Sequence, residues 1–387
     1  MTGSPRAALA DAERIVIKLG TGIITHDGSE LALGRVSAIV EDLARLHRSG
    51  KTILLVSSGA VGMGMRALSV TERPRSLGQR QAFAAIGQGH LISLYNQALS
   101  HFGITGAQVL LSQEDLGDRD RALCVRTTLM RLLQLGTLPI LNENDSVSVR
   151  ELVETFGGPD EPPAFGDNDG LSARVAVAVD ADLLVLLTDV DGLWTANPRT
   201  DPTATRIDTL HGVDEHIHAR ASGVSRTGTG GMASKLHAAQ VATEAGIATL
   251  ILDGTSPGVI PRALAGHDVG TVVWPTVRRK ARRRSIAIGT AHRGALTIND
   301  GALRALRDKK ASLLPIGVIG VEGDFERGDV VEIRDASGRV HARGIVNYGA
   351  SACHKVAGQH STEIARILGV AGYDALVTRD NLVLSEV

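Results

Sequence analysis

Two lysines stand in glycine-rich surroundings, Lys18 in "IKLGTG" and Lys235 at the end of "TGTGGMASK", residues 227–235. Only one other lysine, Lys51, occurs in the first 276 residues. Backbone N–H groups in a glycine-rich turn can approach an anion closely, and an ammonium adds a point charge beside them. A Walker A loop needs Gly immediately before Lys. Ser234 holds that place, so Lys235 would be delivered from inside the following helix. Carboxylates and amides lie between the lysines, in "LNEND" (141–145), "GDND" (166–169) and "LLTDVDG" (186–192). Lysines in glycine-rich settings with carboxylates between them describe a phosphoryl-transfer site, where positioning and charge neutralisation do most of the catalysis.

Some of these segments admit two readings. "SSGAVGMG" (57–64) could hold a carboxylate or phosphate, or could let a helix and a strand pack closely. In "GDND" one member caps a helix, and the others could bind metal, substrate ammonium or lysine. Gly170 comes too early for an EF-hand loop, and "DVDG" fails the same template. HExxH and GxGxxG are absent, which argues against zinc proteases and nicotinamide enzymes.

The elements that must position these residues alternate. Apolar runs at 14–20, 52–59, 107–112, 138–145, 182–192 and 247–254 read as strands. Helical patterns separate them at 33–50, 77–101, 121–136, 171–181 and 231–246. Val36, Ile39, Val40, Leu43 and Leu46 form one apolar stripe in the first helix. Near-continuously apolar strands alternating with helices predict an α/β fold: an open, mostly parallel sheet covered by helices on both faces. Ligands in such sheets sit beyond the carboxyl ends of the strands. The polar clusters fall there: Lys18–Gly20, Ser57–Gly59, Asn142–Asp145 and Thr188–Asp189.

At 387 residues the chain is too long for one ordinary core. The basic run "RRKARRR" (278–284) marks a boundary, after which short strands and turns take over, with "DASGR" (335–339) as a hairpin turn. The expected domains are 1–275, a linker at 276–284, and a small mostly β domain at 285–387. Charge divides at the same place. Residues 1–276 carry 23 Lys and Arg against 30 Asp and Glu, and the remainder carry 18 against 12. Two distant cysteines, Cys124 and Cys353, fit a reducing cytoplasm. No 18-residue apolar run or secretory leader is legible, so a cytoplasmic protein without a membrane span is expected.

"IVIKLGTGII", "LLVSSGAVGMG", "PILNENDSV", "GDNDGLSA", "LLLTDVDGLWTANPR" and "GTGGMASKLHAA" together closely resemble the glutamate 5-kinase group of the amino acid kinase family, over roughly residues 12–275. The tail, with "SLLPIGV" and "GIVNYGA", resembles a PUA domain. The resemblance implies transfer of the ATP γ-phosphoryl to the side-chain carboxylate of L-glutamate, with Mg2+. It implies Lys18 and Lys235 as catalytic groups, with Asp169 orienting them. It carries over Thr188, Asp189, Thr229, Gly230, Gly231, Met232, Ala233, Ser234, Lys18 and Lys235 as nucleotide contacts. Ser58, Asp145 and Asn168 carry over as glutamate contacts, hydroxyl and amide for carboxylate groups and Asp145 for the α-ammonium. Proline inhibition and a dimer or tetramer are also implied. Gly170 and the "GGPDEPP" stretch depart from the family pattern.

Two other readings compete. The same fold could serve N-acetylglutamate or a nucleoside monophosphate. Alternatively, the basic tail could make the chain an RNA-binding PUA regulator, although it offers few aromatics for base stacking.

Overall fold

The computed structural model describes residues 5–26, 30–72, 74, 76–147, 168–196, 200–213, 217, 231–276, 292–308, 311–369 and 373–384. The chain divides into two compact units, Met1–Arg278 and Arg279–Val387. The basic run at 278–284, the "GGPDEPPAFG" stretch at 157–166, Thr229 and Gly230 lie outside the described residues.

In the first unit, β1 (Arg14–Leu19) is followed by α1 (Leu33–Arg48), β2 (Thr52–Ser57), α2 (Ala60–Ala67) and α3 (Leu77–Ser100). Next come β3 (Gly106–Leu111), α4 (Arg119–Gln134), β4 (Leu138–Glu143), α5 (Asn168–Ala178) and β5 (Leu183–Thr188). The unit closes with β6 (Thr209–His211), α6 (Met232–Glu244), β7 (Ala248–Asp253), α7 (Val259–Leu264) and β8 (Thr271–Trp274). These eight strands form one sheet in the order β6-β8-β7-β5-β1-β2-β4-β3. Every neighbouring pair is parallel except β7 with β8.

The order follows from the strands' composition. "RIVIKL", "TILLVS", "LLVLLT" and "ATLILD" are apolar on both faces, so each strand needs cover above and below, as βαβ crossovers provide. Two cores result. Ile15, Ile17 and Leu19 join the α1 stripe on one face, while Val16 joins Leu171, Val175 and Ala238 on the other. The chain leaves β1 for β2 on one side and returns to β5 on the other. That reversal opens a crevice at the carboxyl ends of β1 and β5.

The second unit holds β9 (Gly294–Ile298), α8 (Asp300–Asp308), β10 (Val318–Gly323), β11 (Val330–Arg334), β12 (Val340–Ile345), α9 (Ala350–Val356) and β13 (Leu382–Leu384). Its mostly antiparallel sheet runs β10-β9-β11-β12-β13 around its own apolar core. The "DASGR" turn joins β11 to β12, with the Gly338 N–H donating to the Asp335 carbonyl at 2.9 Å.

Candidate active site

Lys18 is the fifth residue of β1 and alternates onto the Val16 face, the face that α5 and α6 cover. Those helices are rich in small residues. Ala173, Ala176, Ala238 and Ala242 are fully buried in the same core, which draws both helices close to the sheet and to each other. Both begin at the strand carboxyl ends, so their first turns present Asp169 and Lys235 to Lys18.

The three side chains meet. Lys18 Nζ lies 2.6 Å from Asp169 Oδ1, and Lys235 Nζ lies 3.2 Å from Asp169 Oδ2. The Ser234 hydroxyl donates to Asp169 Oδ2 at 2.8 Å. Lys18, Asp169 and Lys235 are 3%, 0% and 5% exposed. Two cations that close would repel strongly in a buried site, and the shared carboxylate removes that conflict. Burial acts to raise the Asp169 carboxyl, but Lys18 and then Lys235 outweigh it, so Asp169 is held well below the usual carboxylate range. The α5 N-terminus adds to this, since its N–H groups favour negative charge.

A second polar group sits beside the first. The Asn168 amide donates to Ser58 Oγ at 2.8 Å and to Asn142 Oδ1 at 2.9 Å. Asn142 in turn donates to Gln88 Oε1 at 2.8 Å. The backbone N–H of Glu143 also donates to Asn142 Oδ1, at 2.9 Å. A backbone N–H can only donate, so it fixes which end of Asn142 is oxygen, and Asn142 then fixes the orientation of Asn168. With its nitrogen engaged, Asn168 is left with Oδ1, a buried acceptor that receives no hydrogen bond among the described residues.

The remaining expected residues sit around this pair of clusters. Thr188 ends β5 and donates to Asp189 Oδ1 at 3.2 Å, with Asp189 itself exposed. Gly231 caps α6, and Met232, Ala233 and Ser234 lead to Lys235 in its first turn. Asp145 is half-buried in the turn after β4. Gln88 was not foreseen: it lies mid-helix in α3, where nothing in the local pattern separates it from a solvated glutamine. Asn142 was legible as a polar strand end, but its part in orienting Asn168 was not.

The description "Amino acid kinase family" matches residues 13–253, and "PUA domain" matches residues 294–368. A glutamate 5-kinase from Moorella thermoacetica is 44% identical over 381 residues, 98% of this chain and 98% of that protein. One from Gloeobacter violaceus is 46% identical over 374 residues, 95% of this chain and 98% of that protein. The chain belongs to the glutamate 5-kinases of the amino acid kinase family. Its second unit is a PUA domain. Among solved structures, a UMP kinase from Bacillus anthracis is similar at a TM-score of 0.46 and 15% identity, covering 69% of this chain and 97% of that one. No helix of the described residues is long and apolar enough to cross a membrane.

Proposed function

We propose that this kinase transfers the γ-phosphoryl of ATP to the side-chain carboxylate of L-glutamate, giving γ-glutamyl phosphate, the first intermediate toward proline. The observation that carries the reading is the Lys18–Asp169–Lys235 cluster at the sheet's crevice. A glutamate carboxylate has a pKa near 4.3 and is ionised at neutral pH, so no general base is needed. The obstacle is repulsion between that anion and the triphosphate. Lys18 and Lys235 offset it as charge redistributes over the passing phosphoryl, while Asp169 keeps the two ammonium groups converged.

The nucleotide lies against Thr188, Asp189 and residues 231–235, with the α6 N-terminus toward its phosphates. Glutamate lies over Ser58, Asp145 and Asn168. The Ser58 oxygen accepts from Asn168, which leaves its own hydrogen to donate to a substrate carboxylate. The open atom of Asn168 is an acceptor, so it suits the substrate ammonium, alongside Asp145, and not a carboxylate. That reverses the role the resemblance gives to Asn168.

Mg2+ fits as a companion of the nucleotide. It is usually held by phosphate oxygens and retained waters, with one or two carboxylates at most. No group of three metal-ligating side chains exists among the described residues, and the Asp169 oxygens are committed to lysines. When bound, the ion would neutralise phosphate charge. Proline as an inhibitor in the glutamate pocket, a dimer or tetramer, and a cytoplasmic location complete the reading, and these rest on the family resemblance.

An acceptor panel tests it. Full-length protein with ATP and hydroxylamine should form hydroxamate with L-glutamate and none with N-acetylglutamate, and should release no ADP with a nucleoside monophosphate. Turnover of either alternative in place of L-glutamate would reject the assignment.

A further inference from the structure

Away from this cluster, on the opposite face of the sheet, a cavity of about 190 Å³ opens between the N-terminal half of α1 and the loop Gly254–Gly258 with the start of α7. Its wall is largely apolar, with Ala38, Ile39, Pro257, Val259 and Ile260 among the lining residues. Two charged side chains that the proposed reaction does not use line it, Arg35 and Asp42. Asp42 lines the cavity, is only 6% exposed, and makes no hydrogen bond or ion pair among the described residues. A largely buried carboxylate without a protein partner leaves its charge to be met by whatever occupies the cavity.

The neighbours that could have compensated it are engaged elsewhere. Arg45, whose charge offsets the burial of Asp42 only in part, forms its ion pair with Glu41 instead. Arg35, also in the wall, donates to the Gly22 and Ile23 carbonyls at 2.9 and 3.3 Å. The hydroxyls of Thr255 and Ser256 donate to Asp253 at 2.6 and 2.8 Å. The cavity thus supplies a carboxylate and apolar walls, with the donors of its lining side chains committed elsewhere.

We propose that this cavity is a binding site for a small aliphatic ammonium, its charged end on Asp42 and its hydrocarbon body against Ile39, Val259 and Ile260. The ammonium supplies Asp42 with the charged donor that no lining side chain directs at it. A bare divalent cation would need several more oxygen ligands than one carboxylate. The volume is well beyond that of one water and below that of a drug-sized pocket, which sets the ligand at a few carbons.

Occupancy would be felt nearby. The Gly254 N–H donates to the Thr188 carbonyl at 2.8 Å, and Arg35 holds the turn that follows Lys18 and Gly20. The loop and the helix that form the cavity therefore each touch a strand end of the active site.

The probe is n-butylammonium chloride, titrated calorimetrically into the full-length protein, with butan-1-ol as the neutral counterpart and sodium chloride as the salt control. Wild type should bind one equivalent of butylammonium, about tenfold or more tighter than butanol. Asp42→Asn, which keeps the shape and removes the charge, should lose that preference. Ala38→Leu, which fills the cavity, should bind neither. Both variants should still melt cooperatively and turn over glutamate. Absence of saturable binding to wild type, equal affinity for butanol, or undiminished butylammonium binding by Asp42→Asn would each overturn the proposal.

Discussion

Asp169 and Asp42 are both buried carboxylates, and their surroundings give them opposite effects on stability. Asp169 is compensated by two lysines and a hydroxyl. Asp169→Asn leaves two buried ammonium groups facing each other, so it should lose about 3–5 kcal/mol at neutral pH. The folded-state carboxyl is held below its unfolded value, so its contribution is present above a pH of about 4 and is lost as pH falls through the folded value. Denaturant titrations of wild type and variant should therefore converge in acid. Asp42 behaves in the other sense. Burial, only partly opposed by Arg45, raises its carboxyl, so the ionised form destabilises the native state above its folded pKa. Asp42→Asn should raise the melting temperature at pH 7, and the advantage should shrink as pH falls toward the unfolded carboxyl value. A lower melting temperature for Asp42→Asn at pH 7 would mean that Asp42 has a partner in the native state.

Among the elements, the crossing of α2 and α3 depends on two glycines. A Cβ on Gly64 would lie 1.9 Å from the Phe83 carbonyl oxygen, and one on Gly87 would lie 1.8 Å from the Ala60 carbonyl oxygen. Of the two readings open for "SSGAVGMG", the one realised at Gly64 is close packing, and it is helix against helix. The α3 helix carries Gln88, which holds Asn142, and Tyr95, whose hydroxyl lies 2.8 Å from Ser57 Oγ. Gly87→Ala should push α3 outward, destabilise the unit by about 1–3 kcal/mol or more, and raise the KM for glutamate more than it lowers kcat. Steady-state kinetics and thermal melts check both effects. The strands and most helices were legible because continuous apolar runs and 3.6-residue stripes report burial directly. The α2–α3 contact was not, since a glycine in a helix reads the same whether it faces solvent or a backbone. Asp42 was hidden for a related reason. It lies off the Val36–Leu46 stripe, and the cavity it lines is closed by the distant loop 254–258 and the start of α7.

For the whole molecule, the active-site side chains and both cores beneath them belong to the first unit, and the PUA domain has a separate core. A fragment ending at residue 278 should fold and retain ATP-dependent hydroxamate formation with glutamate. Loss of activity in a folded fragment would show that the second unit contributes to turnover. The sequence placed Lys18 near a strand end and Lys235 inside a helix that follows a glycine-rich turn. It could not show that one carboxylate would join them, because Lys18, Asp169 and Lys235 are separated by 151 and 66 residues and meet only through the crossover topology. The central claim is that both lysines act on one transferring phosphoryl, and the kinetics of Lys235→Ala with L-glutamate and ATP test it most directly. The account predicts that kcat falls on the order of 10²–10³-fold with the KM for glutamate nearly unchanged. A wild-type kcat, or a loss confined to the KM for glutamate, would contradict it.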